Sequence, residues 1–217
     1  MNAKLSLAAL ALMTTTVGVA QAESAYPHKY SVTITNITKG VSFTPFIAAA
    51  HKNNMRVFHI GETASEEIVA IAEGGNIAPL QEKLSASKKV FDIASSEGLL
   101  GPGESVTLEL DGKNGRLTRA SMLLPTNDTF VSLNGVRLPW YGKVTYLAKA
   151  YDAGSENNDE LCANIPGPTC GGAALSPEDA GEGYVYPSPT LHGEGDLSVE
   201  AYGWSGPVAK VTIEKMW

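Results

Sequence analysis

Short runs of alternating or β-branched residues, each closed by turn residues, constrain this chain most. Tyr30–Thr38 (Y-S-V-T-I-T-N-I-T) alternates with period two, the pattern of a strand with one buried face. Phe43–Ala50 follows a Lys39-Gly40 turn as a second extended segment, and Arg56–Ile60 reads as a short third. The pattern then changes. Ala64–Ala72 (A-S-E-E-I-V-A-I-A) has helical spacing, with Ser65 as N-cap and Gly74-Gly75 as its stop, and Ile77–Leu84 predicts a second short helix. Strands return at Val90–Ile93, Ser105–Leu110, Leu117–Leu124, Phe130–Leu133, Val144–Tyr151, Gly183–Tyr186 and Val208–Ile213. Turn signals such as Gly101-Pro102-Gly103 and Asp111-Gly112 lie between them. Many short strands with one helical excursion predict an all-β fold, an antiparallel β-sandwich with one or two short helices inserted. Ala153–Pro189, rich in Gly, Pro, Asn and acids, reads as a long connecting loop within a single domain.

The first 22 residues read as a secretory signal peptide. Lys4 supplies the positive start, Leu5–Ala20 the apolar stretch, and Ala20-Gln21-Ala22 a small-x-small cleavage pattern. Ser6, Thr14, Thr15, Thr16 and Gly18 make that stretch a poor membrane anchor, and no later run has spanning length. Removing these 22 of the 217 residues leaves 195, read as one domain over 23–217. The leader holds one Lys and no acid, so the formal charge moves from −7 to −8. An acidic chain with no Lys/Arg cluster argues against nucleic acid or anionic lipid as a partner; a divalent cation or a basic surface suits it better. The chain is expected to be exported, periplasmic or extracellular.

Cys162 and Cys170 flank A-N-I-P-G-P-T, and so close a pair in an exported chain predicts one disulfide. Zinc is a poor use of them, because a lone C-x7-C without nearby His lacks zinc spacing. Catalytic signatures are missing: there is no H-E-x-x-H, G-x-S-x-G, G-x-x-x-x-G-K or post-strand G-x-G-x-x-G. No catalytic residue is assigned.

Carboxylates gather in two loop segments. Leu124–Asn134 carries Asp128, and Tyr151–Glu156 carries Asp152 and Glu156, each where a strand-like run ends. If these three acids converge, their repulsion calls for a cation, and Ca2+ is the first choice because it takes carboxylate, amide and carbonyl oxygens. Another divalent ion would fit the same donors. Taken singly, each acid is also what an ordinary surface turn contains. Leu191–Leu197 (L-H-G-E-G-D-L) is a second concentration: His192, Glu194 and Asp196 alternate with glycines, as a binding loop would or as a tight turn with a tethered histidine would.

In their order, Y-S-V-T-I-T-N-I-T, F-T-P-F-I-A-A-A-H, G-E-T-A-S-E-E-I-V-A-I-A-E-G-G-N, P-T-N-D-T-F-V-S-L-N-G, Y-D-A-G-S-E-N-N-D-E-L, I-P-G-P, H-G-E-G-D-L and W-S-G-P-V-A-K-V-T-I resemble the spondin domain family. The similarity is to its single-domain exported bacterial members and runs from about Tyr30 to Ile213. It implies an eight-stranded sandwich similar to calcium-dependent membrane-targeting domains, with a metal held among loops at one end. It implies metal ligands at Asp128, Asn134, Asp152 and Glu156. Two departures stand out. Asn134 offers an amide where animal members offer a carboxylate, which predicts weaker binding. Thr129 follows Asp128 where an aromatic is usual. The functional expectation is a calcium-binding recognition or adhesion module whose partner is an unidentified surface protein or glycan. The alternatives are a periplasmic metal-dependent hydrolase, with His192 and Asp196 as its only candidate pair, and a structural envelope protein without a metal.

Overall fold

A computed structural model describes residues 28–175 and 181–216, so the leader reading of residues 1–22 lies outside the described residues. The strands are β1 (Lys29–Asn36), β2 (Ser42–Phe43), β3 (Ile47–His51), β4 (Val90–Ser95), β5 (Ser105–Asp111), β6 (Arg116–Leu124), β7 (Thr129–Arg137), β8 (Lys143–Asp152), β9 (Tyr186–Pro187) and β10 (Ala209–Lys215). They run β4-β3-β6-β7-β8-β10-β1-β5, with β2 added to β6 and β9 to β8, and each described pairing is antiparallel. β8 turns the corner between layers: its first part pairs with β10 and its last four residues, Lys149–Asp152, with β7. The free edges approach each other where Asp111 N, at the end of β5, donates to Asp92 Oδ2 on β4 at 2.9 Å. The result is a nearly closed β-sandwich, as the period-two pattern predicts.

Alternation fills the interior. Tyr30, Val32 and Ile34 of β1 point inward against Leu108, Leu110, Val211 and Ile213, and Phe43, Phe46, Leu117, Leu123 and Val131 complete the same core. One charge shares this interior. Arg119 on β6 is wholly buried, its guanidinium 4.7 Å from the Phe46 ring centroid, and none of its three nitrogens has an acceptor among the described residues. Burial alone pulls its pKa down to about 9.

A second core lies on the outer face of β3, β6 and β7. Helices α1 (Glu66–Gly74) and α2 (Ala78–Ser85) place Ile68, Ile71, Ala72, Leu80 and Leu84 against Ile47, Ala49, Ala120 and Phe130. This cover explains why all of β6 after Arg116 is buried, with no polar face left for water. The predicted stop of α1 is real: Gly75 takes the left-handed φ of 64°, and the N–H groups of Gly75 and Asn76 bond Ile71 O and Ala70 O. Ser65 sits at the N-cap position, but its side chain makes no cap bond.

Two expectations about elements need correction, and one element was not foreseen. Arg56–Ile60 is not a strand; Phe58 plugs between Phe130 and Tyr151, with ring centroids 5.1 and 5.0 Å away, and its backbone is bonded by a side chain instead of a ladder. Of Gly183–Tyr186 only Tyr186 is in a strand, continuing to Pro187 in β9. A one-turn helix, α3 (Val199–Tyr202), forms where none is expected. The disulfide is present: Cys162 and Cys170 are joined, fixing the I-P-G-P loop beside a small apolar cluster of Ile165, Leu191 and Leu197. Among the described residues no helix is long and apolar enough to cross a membrane.

Candidate functional site

The β6–β7 turn carries Asp128 and the end of β8 carries Asp152. Strand register brings them together, since Thr129, the residue after Asp128, lies across the ladder from Asp152. The turn is built locally by Thr126, whose hydroxyl donates to Leu123 O at 2.6 Å and accepts from Thr129 N. Ala153 N then donates to Asp128 O at 3.2 Å, and the chain after β8 folds over the aspartate. Asp128 Oδ2 accepts from Ser155 N at 2.8 Å, Ser155 Oγ at 3.2 Å and Glu156 N at 3.1 Å. Its Oδ1 is buried with no hydrogen-bond partner among the described residues.

Asp152 is equally enclosed. Oδ1 accepts from Gly154 N at 2.8 Å and Oδ2 from Asn158 Nδ2 at 2.9 Å. Gly154 has φ 65°, and a Cβ there would collide with the Tyr184 carbonyl, so the loop closes only with glycine. Glu156 is buried beside Asp128 and reaches it through its backbone N–H.

Electrostatics at this point are one-sided. Asp152 is pushed up to about 7, first by burial and then by the negative charges of Asp128 and Glu182. Asp128 is also raised, by burial with Glu182 adding to it, while the N–H groups of Glu156 and Ser155 pull it back. Tyr186 Oη donates to Glu182 Oε1 at 2.9 Å and accepts from Asn158 Nδ2 at 3.2 Å; burial and the Asp152 charge push its pKa up. Among the described residues no cation offsets the acids that act on Asp152. A pair of enclosed carboxylates with one oxygen unused is chemically suited to a hard cation, and Asp128 Oδ1 is the atom left for it. Yet among the described residues no three His, Cys, Asp or Glu side chains are grouped so as to hold a metal ion. What is assembled is an aspartate pair with acidic neighbours.

Asn134 does not join them. It stands six residues beyond Asp128, about 20 Å along an extended strand. Its amide is committed elsewhere: Oδ1 accepts from Val57 N at 3.1 Å and Nδ2 donates to Phe58 O at 2.8 Å. Expected as a ligand, Asn134 is not brought to the aspartate pair; it docks the segment that inserts Phe58.

The Leu191–Leu197 loop also binds a carboxylate, an internal one. Glu160 is buried, and its oxygens accept the backbone N–H groups of His192, Gly193 (2.6 Å) and Glu194 (3.2 Å). Three successive amides around an anion form a nest. They hold Glu160 in place at φ 56°, a left-handed backbone that glutamate rarely adopts. Asp196 Oδ2 accepts from Cys162 N at 2.9 Å, tying the loop to the disulfide, while the His192 side chain is exposed. Glu160, Glu182, Asn158 and Tyr186 have no signature in the sequence. Of these, Glu160 and Asn158 fall in the acidic motif Y-D-A-G-S-E-N-N-D-E-L.

Compared with known families, the chain matches the model described as Spondin_N over residues 14–163. The match takes in Asp128, Asp152, Glu156 and Glu160 and stops before Glu182; its start falls within the stretch read as a leader. No curated protein matches the chain.

Proposed function

We propose a function from one premise: this chain belongs to the spondin N-terminal domain family. That family consists of extracellular recognition and adhesion-type modules, and the sandwich and disulfide of this chain agree with it. On that basis the chain is an exported recognition module in which Asp128 and Asp152 hold a divalent cation, Ca2+ by the chemistry of its donors, between loops at one end of the sandwich. The observation that carries this reading is Asp128 Oδ1, buried without a hydrogen bond beside an aspartate whose pKa stands at about 7. A bound cation would supply the positive charge this pair lacks. The chain's own groups supply the rest: Ser155 and Glu156 orient Asp128, and Gly154 and Asn158 orient Asp152. Glu182 stands near enough to add negative charge, and carbonyl or water oxygens complete the six to eight donors calcium takes.

Calorimetric titration of the mature protein with Ca2+ at pH 8 tests the reading. A saturable one-site heat that is lost in Asp128→Asn, with that variant still folded, is the expected result. A flat trace for the wild-type protein, or an unchanged trace for the variant, sinks the metal site and leaves the family assignment standing.

A further inference from the structure

The end of the sandwich opposite the carboxylate loops has the reverse character. β7 leaves the Asp128 end and turns at residues 138–142 before β8 returns, so that turn lies at the far pole. Its tip is aromatic: Trp140 is 73% and Tyr141 75% exposed, the two most exposed large hydrophobic side chains among the described residues. The base beneath them is fixed. Leu138 is buried and its N–H bonds Gly115 O at 3.1 Å, while Lys215 N bonds Gly142 O at 2.9 Å. The Lys215 ammonium lies 5.6 Å from the Trp140 ring centroid.

The same pole collects cations from separate turns. Lys29 begins β1, Lys52 follows β3, Lys89 precedes β4, Lys113 sits between β5 and β6, and Arg137 and Lys143 flank the aromatic turn. All six are exposed, and none forms an ion pair among the described residues. Register ties these strand ends into one surface: Lys29 faces Asp111, Tyr30 faces Lys215, Glu214 faces Lys143, and Arg116 faces both Arg137 and His51. Asp111 and Glu214 are the acids among these paired positions and Asp92 adjoins Asp111; against them stand the six cations above with Arg116 and Lys215, so the pole is net positive on a chain whose total is −7. The premise that the chain lacks a Lys/Arg cluster holds for the linear sequence and fails in the fold.

We propose that this pole docks on an anionic lipid surface, Trp140 and Tyr141 entering the headgroup layer and the surrounding Lys and Arg meeting its phosphates. Amphipathic rings prefer that layer, and a ring of cations adds attraction that salt screens. A nucleic acid would call for a charged groove or a row of stacking rings, and the structure offers a single blunt tip. Docked this way, the carboxylate loops point away from the lipid, toward whatever the module recognises.

Co-sedimentation of the full mature chain, in chelator so that the cation site plays no part, tests the proposal. At low salt the protein is expected to pellet with phosphatidylcholine vesicles containing one third phosphatidylglycerol, with a blue shift in tryptophan emission, and to stay in solution with phosphatidylcholine alone. Trp140→Ser with Tyr141→Ser should weaken binding tenfold or more and remove the blue shift; Lys113→Gln with Lys143→Gln should weaken it and flatten its salt dependence. These positions are exposed, so both variants should keep the wild-type Tm, which is checked alongside. Absence of pelleting with anionic vesicles, or binding that the double serine variant leaves unchanged, overturns the proposal. So does equally tight capture of heparin with the same dependence on Trp140, which would mark a polyanion site.

Discussion

At the scale of single residues, the informative groups are those whose surroundings oppose their charge. Asp152 has a folded pKa near 7, above its ordinary 3.8, so the native state binds a proton that the unfolded chain gives up. Metal-free protein should therefore lose stability as pH rises from about 4 to 7 and level off above that window. Asp152→Asn should flatten this loss, as seen in urea melts at pH 5 and pH 8. The Ca2+ proposed for this pair would compete with the same proton, so its affinity should climb with pH over the same range, and Asp152→Asn should weaken it by at least about tenfold, roughly 1.4 kcal/mol. Arg119 poses the opposite problem, a cation with no acceptor inside an apolar core. Arg119→Met keeps the volume and removes the desolvated charge, so it should stabilise the protein by about 1–4 kcal/mol in urea unfolding at pH 7. A loss of stability would mean that something satisfies the guanidinium.

Among elements, the loops after β8 behave as parts with internal fastenings. Glu160 fastens the Leu191–Leu197 loop through three backbone amides. Glu160→Gln keeps the shape but gives up the charge-assisted bonds, and should cost about 1.5–3 kcal/mol in chemical denaturation. Phe58 does comparable work for the helical layer, seated on Phe130 and Tyr151 beside α1 and α2. Its replacement by Ala should cost about 3–5 kcal/mol. Strands were the readable elements, because β-branched alternation reports one buried face directly. Arg56–Ile60 misled because apolar residues in a docked loop look like a short strand until the partner, here Asn134 on β7, is known. The aspartate pair was readable as residue types at strand ends. Its neighbours Glu182 and Tyr186 were not, since they arrive from a loop about thirty residues later.

Across the whole molecule, the antiparallel path sorts charge by pole. Acids collect where β6, β7 and β8 meet the long loops, and cations collect at the other strand ends. Binding at the acidic pole should raise the melting temperature. At a calcium concentration one hundred times its Kd, linkage gives about 2.7 kcal/mol, which for a domain of this size is about 5–10 °C by calorimetry. The shift should vanish in Asp128→Asn. A shift that survives this substitution would place the ion elsewhere.

By itself the sequence determined the class of fold, most of the strand positions to within a few residues, the helix stop at Gly75, the disulfide pairing and the family, because each follows from local periodicity, turn chemistry or ordered motifs. Tertiary structure alone decided that Asp128 and Asp152 adjoin while Asn134 does not, that Glu160 is what the H-G-E-G-D-L loop holds, and that scattered lysines form one surface. The reason is register. Which residues share an end of a sandwich depends on how strands pair across long separations, and a one-dimensional pattern carries period without partner.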